Sequence, residues 1–405
     1  MNEVRALVET FDAATRTGER CALATLVSVE GSSYRRPGAR MLVREGGLST
    51  GTISAGCLES DVVEHAKRVI KSGAAKLVEY DTAATGDEMA WGLGLGCNGV
   101  VRVLVEPLAR GSLYVEALRR SCEVPADGEP VTVATAYQHT PPNSAPAAAR
   151  IETGARLLIH EGREVGREKL SGEAAACIEG EVRALLLGGD ASAAHVFDWE
   201  GGAVKVFVET LLPPVPLVVF GAGHDALPVV ELARTLGWQT EVVDPQARPA
   251  SRSRFAAADR VTLARPEDVA ARVTITPRTL ALLMSHNYSH DLALLRFLLA
   301  SPARYVGVMG PRKRTERMLS ELGAGEDPFR PEDADLARLY APAGLDIGAN
   351  APAEIALSIM AEMRAVLEGR RGRMLRECRG SIHGSRENGE RVPPKLEQEL
   401  TVAAA

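Results

Sequence analysis

Hydrophobic and polar positions follow two different patterns along this chain. In the first half, EVRALVETFDAATRTG carries apolar residues at helical spacing and ends on Gly18. CALATLVSVEG then reads as a buried strand and GARMLVREGG as one arm of a hairpin. In CLESDVVEHAKRVIKSG, Leu58, Val62, Val63, Ala66 and Val69 share one face, and Gly73 closes the helix. KLVEYD and GVVRVLVEPL are strands flanking the glycine-rich WGLGLGCNG. Between residues 111 and 210 the signals are weaker. Strands are expected at VTVATAY, RLLIH and VKVFVET, a helix around 172–187, and a loop at TPPNSAPAAAR. No internal repeat is read from the pattern.

LLPPVP marks a change, because Pro213, Pro214 and Pro216 stiffen the chain and exclude helix. Beyond it, strands and helices alternate: LVVF, a helix carrying Leu227, Val230, Ala233 and Leu236, then TEVVDP, TLALLMSHN, YVGVMG and a last helix APAEIALSIMAEMRAVLEG. That alternation predicts a doubly wound parallel sheet. The fold class is therefore α/β: an N-terminal α+β domain over 1–212, a Rossmann-like domain over 213–370, and a charged, glycine-containing tail over 371–405 that reads as disordered.

The 405 residues are 45% apolar and 25% charged, as in an ordinary globular protein, and the net charge is −6. Only 4% are aromatic, so stacking platforms for nucleic acid are scarce, and no basic stripe marks a phosphate backbone as partner. No apolar run reaches the roughly 18 residues that span a bilayer, and the acidic, amphipathic N-terminus is unlike a signal peptide. The six cysteines form no CxxC pair, so neither a zinc ribbon nor a disulfide framework is suggested. A reducing, cytoplasmic location follows as the expectation, with no nucleic acid and no membrane as partner.

Three stretches offer chemistry. Gly221, Gly223 and Ala226 form a GxGxxA turn between a strand and a helix, and Asp244 follows 23 residues after Gly221 at the end of the next strand. This is the layout of a dinucleotide site: glycines for the tight turn and for approach of a pyrophosphate, the acid for a ribose diol. His224, inside the turn, is a candidate ligand contact or a cap. In SHNYSHD, His286, His290 and Asp291 fall at the ligand edge of the sheet, as a polar rim, a metal set or a helix start. Finally, Cys57 precedes a helix whose dipole lowers its thiol pKa by less than about one unit, an effect that Glu59 and Asp61 oppose. Arg35, Arg36 and Arg40 upstream, with Ser32 and Ser33, are candidates to hold a phosphate. Cys97 sits among closely spaced glycines. Spacing alone leaves Cys57 open between a working thiol and a buried structural one.

Taken in order, EGSSYRRPGARMLV, GTISAGCLESDV, GLGLGCNGVVRVLVEP, PLVVFGAGHDALPVVELARTLGWQTEVVD, MSHNYSHDLALL, YVGVMGPRKR and GLDIGANAPAEIALSIMAE resemble the XdhC/CoxI family, from about residue 1 to 370. These are accessory proteins for maturation of xanthine dehydrogenase and aerobic CO dehydrogenase. The resemblance implies a chaperone without turnover of its own. It implies binding of the molybdenum cofactor, help in exchanging its terminal oxo ligand for sulfur, and delivery to the large subunit of an apo molybdenum hydroxylase. A cysteine desulfurase is the implied second partner. The cysteines of the family's two motifs fall on Cys57 and Cys97, with Cys57 as a contact to molybdenum. The cofactor-binding set expected is Cys57, Cys97, Arg35, Arg36, Ser32, Ser33, Gly221, Gly223, His224, Asp244 and His286. A homodimer is the assembly expected. The alternatives are an NAD(P)-dependent oxidoreductase, and an assembly scaffold with a vestigial nucleotide site.

Overall fold

The computed structural model describes residues 2–31, 33–54, 56–81, 99–125, 128–141, 151–188, 193–199, 202–324 and 327–378. The chain divides into two compact units, Met1–Pro213 and Pro214–Ala405.

The first unit runs α1 (Asn2–Thr17), β1 (Cys21–Gly31), β2 (Arg40–Arg44), β3 (Ser49–Gly51), α2 (Glu59–Ser72), β4 (Lys76–Asp81) and β5 (Gly99–Leu108). It continues α3 (Leu113–Glu123), β6 (Val131–Thr140), β7 (Ala155–His160), β8 (Arg163–Glu168), α4 (Gly172–Gly188), β9 (Ala193–Trp199) and β10 (Gly202–Leu211). The sheets have orders β3-β2-β1-β5-β4 and β8-β7-β6-β10-β9. These are one topology used twice, each copy led by a helix and crossed by another.

The absence of a repeat expected from the sequence is thus corrected. GARMLVREGG of the first copy corresponds to GARLLIHEGR of the second, and VRVLVEPL to VKVFVETL. Insertions of different length between these segments leave no constant period, which conceals the relation from a search for fixed spacing. The helix α3 and strands β8 and β9 were not expected; β8 (REVGRE) is nearly all polar, and only tertiary pairing with β7 makes it a strand.

Alternation along the strands explains the layering. Ala22, Ala24, Val103 and Val105 face α2, while Ala134, Ala136, Val206 and Val208 face α4. The opposite faces meet each other and α1 and α3, through Leu23, Leu42, Val133 and Leu158, and through Val27, Leu104, Tyr137 and Phe207. Set among these apolar side chains is a crossed pair of ion pairs. Arg40 at the start of β2 bonds Glu209 of β10, and Arg156, its counterpart in β7, bonds Glu106 of β5. The Tyr114 hydroxyl accepts from Arg40 Nε at 2.8 Å and donates to Glu209 at 2.9 Å. Both glutamates lie under glycines of left-handed backbone: a Cβ at Gly38 would come within 2.9 Å of Glu209, and one at Gly154 within 3.2 Å of Glu106.

The second unit begins with β11 (Pro216–Phe220), α5 (Ala226–Thr235), β12 (Gln239–Asp244), α6 (Ser251–Arg254), β13 (Arg260–Leu263), α7 (Val269–Arg272) and β14 (Leu280–Leu283). It ends with α8 (Tyr288–Ala300), β15 (Tyr305–Val308), α9 (Arg312–Ala324), α10 (Asp333–Leu336), β16 (Leu339–Tyr340) and α11 (Pro352–Glu368). All six strands are parallel, in the order β13-β12-β11-β14-β15-β16. This is the doubly wound order, and both sheet faces are covered: α5 and α11 pack on one, α8 and α9 on the other. The expected fold class is borne out. Of the tail over 371–405, residues 379–405 lie outside the described set.

Candidate functional site

In the first unit, seven residues, 52–58, connect β3 to α2. Of these, residues 52–54 and 56–58 wind around the carboxylate of Glu59, the first residue of the helix. Oε1 accepts from the Thr52 hydroxyl and from the amides of Ile53 at 3.1 Å and Ser54 at 2.8 Å. Oε2 accepts from the Ser54 hydroxyl at 2.7 Å and from the amides of Gly56 at 2.8 Å and Leu58 at 3.2 Å. Gly56 has φ of 120°, a conformation that side chains resist, and it turns its amide inward. Cys57 follows with its side chain exposed. Against a burial penalty, the hydroxyls of Thr52 and Ser54 and the Ser54 amide pull the Glu59 pKa down to about 2.

Glu59 therefore does not simply face the thiol as a bare opposing charge; six donors share it. Asp61 is likewise engaged, accepting from the Tyr80 hydroxyl at 2.7 Å. By contrast, burial pushes the Cys21 thiol up to about 11 and also raises those of Cys122 and Cys177.

The upstream arginines separate into distinct roles. Arg35 forms a two-pronged pair with Glu3, at 3.0 and 2.8 Å, and lies near enough to Glu59 for the charges to interact. Arg40 is buried in the crossed ion pairs and cannot meet a ligand. Arg36 is exposed beside Arg35, and Ser33 is half-buried. Ser32 and Cys97 lie outside the described residues.

In the second unit, the glycine turn sits where the strand order reverses, between β11 and β14. Gly221 has φ of 144°, and a Cβ there would fall 2.4 Å from the Met284 carbonyl oxygen, so this turn requires glycine. Two expected roles change. Asp244 is fully buried, and its carboxylate accepts from the amides of Gln246 and Arg248, from the Arg248 guanidinium, and from the Ser251 hydroxyl at 2.6 Å. These bonds outweigh burial and hold its pKa below the usual value. Its acceptor capacity is spent on its own loop and not offered to a ribose.

The space beside Gly223 is filled by Asp225, whose Oδ1 would lie 2.3 Å from a Cβ there. The other oxygen of Asp225 meets His286 Nε2 at 2.6 Å, and His286 has a left-handed φ of 57°. His224 is exposed at the turn. Two guanidiniums converge on the Ala222 carbonyl, from Arg254 at 2.9 Å and Arg248 at 3.5 Å.

SHNYSHD is a helix start. The Asn287 side chain caps α8 by accepting from the His290 amide at 3.1 Å. Buried Asp291 instead accepts from the Ser285 hydroxyl and from Arg314 of the GPRKR segment at 2.7 Å. His286, His290 and Asp291 do not converge, and among the described residues no three His, Cys, Asp or Glu side chains gather as a metal set.

Sequence reasoning missed Asp225, Arg254 and the inward role of Glu59. For Glu59 a signal existed: TIS and G-C-L supply hydroxyls and small residues ahead of an acid at a helix start.

Comparison with family profiles matches residues 14–81 to the XdhC and CoxI family and residues 217–363 to the XdhC Rossmann domain. The chain is 30% identical over 353 residues to a Bacillus subtilis protein named as a probable xanthine dehydrogenase subunit, covering 87% of this chain and 95% of that one. It is 22% identical over 357 residues to the molybdenum cofactor insertion chaperone PaoD of Escherichia coli, covering 87% and 85%. Among solved structures, one described as a xanthine dehydrogenase from Bacillus halodurans superposes with a TM-score of 0.68 at 29% identity, covering 90% of this chain and 97% of that one.

Proposed function

The chain belongs to the XdhC and CoxI family, and from that premise we propose that it is a maturation factor for a molybdenum hydroxylase. Its cargo is the molybdenum cofactor, which it protects, helps to sulfurate and inserts into an apo enzyme of the xanthine dehydrogenase or CO dehydrogenase type. The observation that carries this reading is the exposed Cys57 thiol in the segment matched to the family, alongside a relative named as a molybdenum cofactor insertion chaperone. A thiolate is a soft ligand suited to a sulfur-bound molybdenum, and a single one permits release. Arg35, beside that loop, is the nearest candidate for the anionic end, once freed from Glu3. The partners proposed are the large subunit of the hydroxylase and a cysteine desulfurase. A homodimer and a cytoplasmic setting complete the proposal; no helix of the described residues is long and apolar enough to cross a membrane.

NAD(P)-dependent oxidation is the second reading, favoured by the strand order and the Gly221 turn. Two observations weigh against it. The Asp225 carboxylate lies against Gly223 in the turn, and the Asp244 carboxylate is engaged by Arg248 and Ser251.

Insertion tests the proposal. An apo molybdenum hydroxylase is mixed with anaerobically released cofactor, with and without this protein. Greater recovery of hydroxylase activity in its presence supports the reading; equal recovery, together with saturable binding of NADH or NADPH by the protein alone, contradicts it.

A further inference from the structure

The duplicated first unit makes the same connection in two ways. In the second copy, β8 ends at Glu168 and α4 begins at Gly172, so three residues suffice: Lys169, Leu170 and Ser171. In the first copy, β3 ends at Gly51 and α2 begins at Glu59, and seven residues are used. Strand, helix and sheet order are the same, so the short connection shows that this topology closes without the knot of hydrogen bonds around Glu59. What the longer connection adds is an exposed thiol, carried on a segment six of whose donors meet one carboxylate, the Leu58 amide being shared with the Ser54 hydroxyl at 2.8 Å.

We propose that Glu59 is a positioning residue, which fixes the 52–58 loop so that Cys57 is presented to the cargo in one place. The inference rests on the reading of Cys57 as a soft contact to the molybdenum cofactor given above. Only a carboxylate suits the task. Each oxygen takes three donors, and a carboxylate is acceptor-only on both sides. Glutamine has nearly the same shape but would turn an NH₂ group toward three of those donors. Asp at this position would fall short by one methylene. The second copy has no cysteine in its connection, and its acid at the helix start is Glu173, the second residue of α4, one position further into the helix than Glu59 is in α2.

The test is a double-mutant cycle on the full chain, read by equilibrium titration with anaerobically released molybdenum cofactor. Wild type, Cys57→Ala, Glu59→Gln and the double variant are compared, with thermal unfolding and amide exchange at Ile53, Ser54, Gly56 and Leu58 recorded for each. Supporting groups around a metal ligand typically account for roughly 10–100-fold in affinity. Glu59→Gln is expected to weaken binding on that scale, to speed exchange at those four amides, and to cause no further loss in the Cys57→Ala background. Wild-type binding by Glu59→Gln, or losses that multiply in the double variant, would overturn the positioning role while leaving the cargo reading intact. Wild-type binding by Cys57→Ala would instead overturn the reading beneath it, and this inference with it. If Glu59→Gln does not fold, Ser54→Ala removes one donor and is expected to follow the same pattern at several-fold.

Discussion

Glu59 is ionised at any working pH, and the sign of its effect follows from that. A carboxylate whose folded pKa is depressed contributes stability above its ordinary value of 4.5, and that contribution is lost as pH falls toward about 2. The carboxyl carbon of Glu59 is therefore expected to titrate near 2 in a nuclear magnetic resonance experiment; a midpoint near 4.5 would show that the loop does not hold it. Asp244 yields a second expectation at this scale. Because it is buried and bonds its own loop, Asp244→Asn should cost about 1–3 kcal/mol in urea unfolding. A loss of nucleotide affinity with stability unchanged would argue for the ribose role instead. The residue types at these positions were legible in the sequence, but their roles were not. An acid at the end of a second strand reads as a ribose acceptor whether or not Arg248 and Ser251 consume it. Likewise, spacing could not tell whether Cys57 is exposed, since burial depends on how 52–58 folds around a side chain that follows it.

At the scale of elements, the first unit is a duplicated module, and its halves are joined by Arg40–Glu209 and Arg156–Glu106. Breaking one partner of a buried ion pair strands the other, at a cost of about 3–5 kcal/mol. Glu209→Gln and Glu106→Gln should each lose stability on that order, and Tyr114→Phe about 1 kcal/mol for its hydroxyl. Chemical denaturation measures all three, and a near-neutral Glu106→Gln would contradict the equivalence of the two pairs. Strong periodicity made α1, α2, β1 and the alternating second unit readable in advance. The weaker stretch hid α3, β8 and β9, because β8 has no apolar face of its own and pairs only through β7. The duplication was visible in GARMLVREGG and GARLLIHEGR, yet the unequal lengths between matched segments removed the regular period by which repeats are sought.

For the whole molecule, the two compact units each carry separate buried clusters, those of the first unit drawing on both of its sheets and those of the second on both faces of one. The doubly wound order places the second unit among nucleotide-binding folds, but fold alone does not decide what it holds. The central claim is that this family member carries the molybdenum cofactor and that Cys57 touches it. The most direct measurement is an anaerobic equilibrium titration of the purified protein with released molybdenum cofactor, wild type beside Cys57→Ala, with NADH and NADPH as competitors. Saturable binding that is weaker in Cys57→Ala and indifferent to both nucleotides is the predicted result. No cofactor binding, with tight binding of either nucleotide, would contradict the account.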